Sequence, residues 1–315
     1  MNVAVVGAGA WGKNLVSTLT KLGSLGPVAE ASQGLRDKLA ETYPGIELRP
    51  DYAGVLNDPA VTAVAVATPA HTHHAIAKAL LEAGKDVFVE KPMTLVASES
   101  EDLVATAAKH GRILMVGHLL MYQPAIHKIK ELIGQGAIGK VFTIHQQRSK
   151  LGRARAVENV LWSFGVHDVA VLLDLVGEKP CDVQVSGHCG LQAGIEDDVY
   201  LHLTFPGGVK AHLHNSWLWP DVARWLIVIG SEGMLVYSET GQKVTLHRKK
   251  IDAALANVDQ GEEVVFNGSG EPLILEMKHF MECCQTRATP RSDGENGLSV
   301  VRVLEQAEML FRPAS

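Results

Sequence analysis

Apolar positions in the first part of the chain fall into two alternating rhythms. Short apolar runs occupy residues 2–6, 27–30, 61–68, 86–89 and 113–117. Between them, residues 11–22, 33–43, 74–83 and 98–110 place apolar side chains at helical spacing. The run 61–68 reads VTAVAVAT and is almost wholly apolar, as expected for a parallel strand covered on both faces. Gly84 and Gly111 stand where two of the helices should stop. Strands alternating with helices of this length predict βαβ units and a parallel sheet.

After Gly117 the rhythm changes. Residues 124–133 predict a helix, and Gly136-Ala-Ile-Gly139 predicts a turn. Strands then dominate, at 141–148, 181–187, 198–205, 210–216, 224–230, 234–237 and 244–247. YLHLTF (200–205) and KAHLHNSW (210–217) alternate polar and apolar side chains. Such alternation marks an antiparallel sheet with one covered and one open face. A helix at 163–176 lies among these strands and is expected to cover one face. Helices at 273–284 and 298–310 follow. The 315 residues exceed the usual size of one hydrophobic core. Two domains are therefore expected, spanning residues 1–118 and 119–315, with the helix 298–310 returning near the first.

Composition narrows the classes of activity. Hydrophobic residues make up 46% and charged residues 20%, with a formal net charge of -6. No Lys/Arg-rich run occurs, so the electrostatic footprint of nucleic-acid binding is missing. An acidic balance also disfavours anionic membranes. No apolar run reaches membrane-spanning length. A strand pattern begins at Asn2 with no leader pattern before it. The four cysteines, Cys181, Cys189, Cys283 and Cys284, lack metal-ligand spacing. They read as reduced packing residues in a cytoplasmic protein with no bound metal. The apolar positions on the open sheet face predict self-association, as a homodimer or homotetramer.

Gly7-Ala-Gly9-Ala10-Trp11-Gly12 fits G-x-G-x-x-G between a strand and a helix, the setting that makes this pattern informative. Gly7 permits the tight turn, Gly9 lets the backbone approach a pyrophosphate, and Gly12 allows close helix–strand packing. A Rossmann domain binding a dinucleotide follows, with an α+β second domain whose open-faced sheet is mostly antiparallel. Glu30 stands 18 positions beyond Gly12. A carboxylate there accepts hydrogen bonds from ribose hydroxyls and repels a 2′-phosphate, which selects NAD. The alternative for Glu30 is a solvated acid at a strand end.

The loop Thr68-Pro69-Ala-His71-Thr-His73 follows a buried strand, where ligands gather in doubly wound sheets. His71 and His73 are expected to hydrogen-bond cofactor or neighbouring backbone. Glu90-Lys91-Pro92 ends the strand 86–89. Lys91 is either an ordinary surface lysine or a functional one, because burying an unpartnered ammonium is costly. His167 opens the helix of the second domain, either as a core residue or as a proton-transfer group.

Together, GAGAWGKN, the stretch ATPAHTHHAIAKALLEAGKDVFVEKPMTL and the turn GQGAIGKV resemble the Gfo/Idh/MocA family along essentially the whole chain. The resemblance implies that Lys91 and His167 line a site where nicotinamide meets a sugar or polyol, with Glu90, Thr68 and Pro69 near the cofactor. The chain departs from many members at Ser163, four residues before the His, where an Asp is common. GHLLMYQPAIHKIKEL, LGRARAVENVLWSFGVHD and NSWLWPDVAR are similar to the sugar-nucleotide 3-dehydrogenase subgroup. That similarity implies oxidation at C3 of a UDP-linked 2-acetamido sugar. Tyr122, Arg153, Arg155, Asn159, Trp162 and Arg224 are then substrate-binding candidates, the arginines for a diphosphate. Each arginine is otherwise an ordinary surface or ion-pair residue. The competing readings are a dehydrogenase of free sugar or inositol, and a non-catalytic NAD-binding sensor.

Overall fold

The computed structural model describes residues 1–311. Residues 312–315, which fall within the expected second domain, lie outside the described residues. Two compact units are found. The first comprises Met1–Leu119 and Glu271–Arg302, the second Leu120–Gly270 together with the chain from Val303 on. The stretch Glu271–Arg302 thus groups with the N-terminal residues, where the sequence pattern had assigned it to the second domain.

The first unit carries β1 (Val3–Val6), α1 (Gly12–Lys21), β2 (Leu25–Ala29), α2 (Gln33–Thr42), β3 (Leu48–Arg49), α3 (Ala53–Leu56), β4 (Ala63–Val66), α4 (His73–Glu82), β5 (Asp86–Glu90), α5 (Ala97–His110) and β6 (Leu114–Gly117). Its sheet runs β3-β2-β1-β4-β5-β6, parallel at every pairing. This is the doubly wound order whose ligand crevice lies at the carboxyl ends of the strands. Every residue of β1, β4, β5 and β6 is buried, which is why those strands read as unbroken apolar runs. Gly111 ends α5 in the left-handed conformation, at φ +61°.

The second unit carries α6 (Pro124–Gly134), β7 (Val141–Ser149), α7 (Val166–Val176), β8 (Asp182–His188), β9 (Asp198–Thr204), β10 (Lys210–Ser216), β11 (Ala223–Gly230), β12 (Met234–Ser238), β13 (Lys243–Ile251) and β14 (Asn257–Asn267). Its eight-stranded sheet runs β14-β13-β12-β11-β7-β10-β9-β8. Only β7 and β10 pair in parallel; the other pairings are antiparallel. Val199, Leu201 and Leu203 of β9 are buried and alternate with more exposed residues, the pattern of a sheet covered on one face. On the other face the register aligns three histidines across neighbouring strands. His212 of β10 stands opposite His145 of β7 and His202 of β9. The ring centroids lie 4.9 Å and 5.0 Å apart.

Two helices close the chain, α8 (Pro272–Thr286) and α9 (Gly294–Phe311). The expected helix 298–310 therefore starts four residues earlier. Strand β14 was not anticipated. It is mostly exposed and carries Asp259, Glu262 and Glu263, so no apolar alternation announces it, and its order comes from pairing with β13. Cys283 and Cys284 are buried, but Cys181 and Cys189 are exposed, which corrects the packing role expected for them. Among the described residues no helix is long and apolar enough to cross a membrane.

Candidate active site

The glycine turn after β1 is built as its sequence requires. Gly7 has φ +88°, and a Cβ there would lie 2.9 Å from the Ala67 carbonyl. A Cβ on Gly12 would lie 2.0 Å from the Gly7 oxygen, so α1 can start here only with glycine. A Cβ on Gly9, in contrast, would meet nothing within 4 Å. The backbone at Gly9 is open to close approach, and α1 presents its N-terminus beside it. Ala10 and Trp11 are exposed on the same turn. This cradle fits a dinucleotide pyrophosphate.

Glu30 follows the end of β2. Its Oε2 accepts from the Ala8 N–H at 2.8 Å, and its Oε1 from the Ser32 N–H at 2.8 Å. The carboxylate therefore ties the glycine turn to the start of α2. Each oxygen keeps acceptor capacity for a ribose hydroxyl. Arg36 was not singled out from the sequence. Its guanidinium donates to the backbone carbonyls of Glu30 and Ala31.

The loop after β4 and the loop after β5 are stitched by His73. Its ring nitrogens lie 2.9 Å from the Pro92 carbonyl oxygen and 2.8 Å from that of Thr68. Of the two partners expected for His73, the structure shows backbone. Burial lowers its proton affinity. Thr72 donates to the Thr68 hydroxyl at 2.7 Å, while His71 and Pro69 are exposed. The Lys91–Pro92 peptide is cis, and Lys91 is half-buried at the carboxyl end of the sheet.

Around Lys91 the polar groups are short of water. Glu90 accepts from the Trp11 indole N–H and, at 3.2 Å, from the Lys91 backbone N–H. Burial pushes its carboxyl up to about 7. His118, one residue past β6, is 1% exposed. Burial, with the Lys91 charge adding to it, pulls its imidazole down to about 3. His118 therefore stays neutral at working pH. Glu276 of α8 is also 1% exposed. Burial, and then the nearby Glu90, raise it well above the ordinary carboxyl range. Neither His118 nor Glu276 was anticipated, since an isolated His or Glu carries no spacing signal.

In the second unit, His167 is half-buried in the first turn of α7. The expected helix 163–176 is regular only from Val166. Leu161–Gly165 forms a wider, π-helical turn, a feature frequent at functional sites. Asn159 and Trp162 hold this region together. Asn159 donates to Glu196 at 3.0 Å and accepts from the Trp162 N–H at 3.1 Å. The Trp162 indole donates to Glu308 at 2.6 Å. Both are among the substrate-binding candidates, and both carry these framework contacts. Ser163 Oγ accepts from the Trp217 indole at 3.2 Å.

Arg224 shows the ion-pair alternative left open for it. It pairs with Glu239 at 3.0 Å, leaving it a member of an ion network. Arg155 lies 3.6 Å from Glu158 on the surface, and Arg153 is exposed. Tyr122 is buried in the short turn Leu119–Tyr122.

Comparison with known proteins completes the picture. Residues 1–118 match the oxidoreductase family with an NAD-binding Rossmann fold, and residues 126–236 match the GFO/IDH/MocA C-terminal domain. The chain belongs to the Gfo/Idh/MocA oxidoreductase family. It is an NAD-binding oxidoreductase. A putative oxidoreductase from Magnetospirillum magnetotacticum MS-1 is 33% identical, with TM-score 0.84, over 97% of this chain and 98% of that one. UDP-N-acetylglucosamine 3-dehydrogenase from Acidithiobacillus ferrooxidans shares the fold at TM-score 0.87 and 22% identity, over 98% of this chain and 97% of that one. The scyllo-inositol 2-dehydrogenase (NAD(+)) of Bacillus subtilis is 29% identical over 308 residues, 91% of this chain and 87% of the relative. Some other curated relatives are matched over about two thirds of their length.

Two predictions follow from the first unit. Glu30→Ser should weaken NAD binding about tenfold, the scale of losing hydrogen bonds to a charged group. It should also narrow the preference for NAD over NADP, since the carboxylate that repels a 2′-phosphate is gone. Fluorescence titration of both cofactors reads this, and tighter NADP than NAD binding by the unaltered protein would contradict the role of Glu30. The second concerns Glu90. Its native carboxyl keeps its proton up to about 7, whereas the unfolded carboxyl releases it near the ordinary 4.5. The native state binds more protons between these limits, so this group costs stability as pH rises. The melting temperature of Glu90→Gln relative to the unaltered protein should therefore shift upward by a few degrees between pH 5 and pH 8.5. A difference independent of pH would show that Glu90 is ionised throughout.

Proposed function

We propose that this protein oxidises a secondary hydroxyl of a sugar to a ketone, at C3 of a UDP-linked 2-acetamido sugar such as UDP-N-acetylglucosamine. The observation that carries the reading is Lys91, held at the carboxyl end of β5 beside a neutral His118 and a stitched loop. NAD supplies the hydride acceptor. Lys91 holds the reacting hydroxyl, and its ammonium stabilises the developing oxyanion. His167 accepts the hydroxyl proton, while the hydride leaves the same carbon. The products are the ketone, NADH and one proton. His118, with its imidazole pulled down to about 3, is too weak a base to compete for that proton near neutral pH. Lys91 and His167 can exchange roles within this scheme.

The choice of substrate draws on the subgroup-like segments ENVLWSFGVHD and NSWLWPDVAR. It also draws on the likeness to UDP-N-acetylglucosamine 3-dehydrogenase along 98% of the chain. Arg153 and Arg155 remain the candidate diphosphate ligands. Binding energy from that remote diphosphate would orient the hydroxyl for hydride transfer. A second reading, oxidation of a free polyol, is favoured by the 29% identity to scyllo-inositol 2-dehydrogenase and by the engagement of Arg224 with Glu239. The open sheet face, with Trp225 on β11 and Ile227 of β11 opposite Val236 of β12, supports assembly as a homodimer or homotetramer.

Lys91→Met and His167→Asn should each lower turnover about 100-fold or more. NAD affinity should change much less, because neither residue belongs to the glycine turn. Near-normal turnover in a folded variant would remove that residue from the mechanism. The substrate is tested by NADH formation with UDP-N-acetylglucosamine, N-acetylglucosamine and scyllo-inositol, with a carbonyl trap to draw the equilibrium forward. Loss of deuterium from C3-labelled UDP-N-acetylglucosamine is expected. Faster oxidation of a free sugar or inositol, or reaction at another carbon, would overturn the assignment.

A further inference from the structure

The first turn of α7 sets two neighbours in opposite surroundings. His167 is half-buried, whereas Asp168 is fully buried, at 0% exposure. Asp168 Oδ1 accepts from Gln146 Nε2 at 2.6 Å and from Arg148 Nε at 2.9 Å. Its Oδ2 accepts from Asn215 Nδ2 at 2.9 Å. These donors come from the adjacent strands β7 and β10, where Asn215 stands directly opposite Arg148. The far side of the Arg148 guanidinium is held by Glu239 at 2.7 Å. Burial raises the Asp168 carboxyl, and Arg148 and Asn215 act against that rise.

Stability alone does not account for this arrangement. A buried ion pair returns little net energy over a well-packed apolar substitute, because each charge must be stripped of water. What the network does fix is position. Gly165 fits where a Cβ would lie 2.5 Å from Leu161 Cδ1 and 2.6 Å from Asn215 Oδ1. Ser163 is held by Trp217 at 3.2 Å. The backbone is thus pinned before His167, at Ser163 and Gly165, and immediately after it, at Asp168.

We propose that Asp168 is a positioning residue for His167. Clamped by Gln146, Arg148 and Asn215, it fixes the first turn of α7 so that the imidazole meets the reacting hydroxyl. The proposal rests on the reading of His167 as a proton-transfer residue. It gives the ionised clamp a geometric task, since the Asp168 carboxylate is fully engaged in the interior. A displacement near 1 Å at a reacting group costs about 100-fold in rate.

The test is a double-mutant cycle on the full chain, read as kcat for NADH formation with UDP-N-acetylglucosamine and, in a second arm, scyllo-inositol. Asp168→Asn should lower kcat about 30-fold or more, on the scale of a misplaced reacting group, with NAD affinity unchanged. Asn215→Ala removes one donor and leaves the Asp168–Arg148 pair, so it serves should Asp168→Asn not fold; it should lower kcat about fivefold, on the same basis. In a His167→Asn background both losses should vanish, since a residue acting through His167 has nothing left to position. Equal losses in both backgrounds would overturn the positioning role while leaving His167 in place. Unchanged kcat in both folded clamp variants would overturn it too. Full turnover in His167→Asn alone would overturn the reading of His167, and this proposal with it.

Discussion

A parallel sheet buried on both faces has no open side on which to place polar chemistry. Its strands β1, β4, β5 and β6 are buried throughout, and Asp86 and Glu90, at the two ends of β5, are the charged residues among them. Functional groups must therefore collect at the strand ends, in a setting that the apolar strands keep short of water. The effects are visible one residue at a time. Glu90 holds its proton far above the usual carboxyl range, and His118 gives its proton up far below the usual imidazole range. The same burial that stabilises the sheet sets which neighbours of Lys91 carry charge.

The second unit solves the opposite problem. Its sheet has one covered face, and the charged residues there are neutralised pairwise through Arg148, Asp168, Glu239 and Arg224. Each charge meets an opposite one, so α7 can be seated on a polar floor. A single surface ion pair would contribute little. A chain of buried ones fixes geometry, because removing any member strands the rest.

Much of this was legible in the sequence, for identifiable reasons. Unbroken apolar runs exposed the parallel strands, and alternating residues exposed β9 and β10. Gly7, Gly12 and Lys91 were recognisable because their neighbours in sequence are also their neighbours in space. The contacts of Asn159, Trp162 and Arg224 could not be read locally, because their partners, Glu196, Glu308 and Glu239, are distant along the chain. Glu276 and Arg148 went unnoticed for the same reason, since nothing local marks a carboxyl or guanidinium that tertiary packing will bury. Strand β14 was hidden because it is polar and owes its order to β13.

The row of His145, His212 and His202 has an electrical consequence. Burial lowers the proton affinity of His145 and His212, and each imidazole of the row adds repulsion to the protonation of His212. Protons added to such a row come on singly and at progressively lower pH, since each makes the next less favourable. At His145 and His212 the strip therefore favours the neutral ring over the charged one. It offers flat ring surface where a lysine row would offer fixed charge. Acidification would add like charges to the same strip one at a time, turning a ring surface into one that water wets.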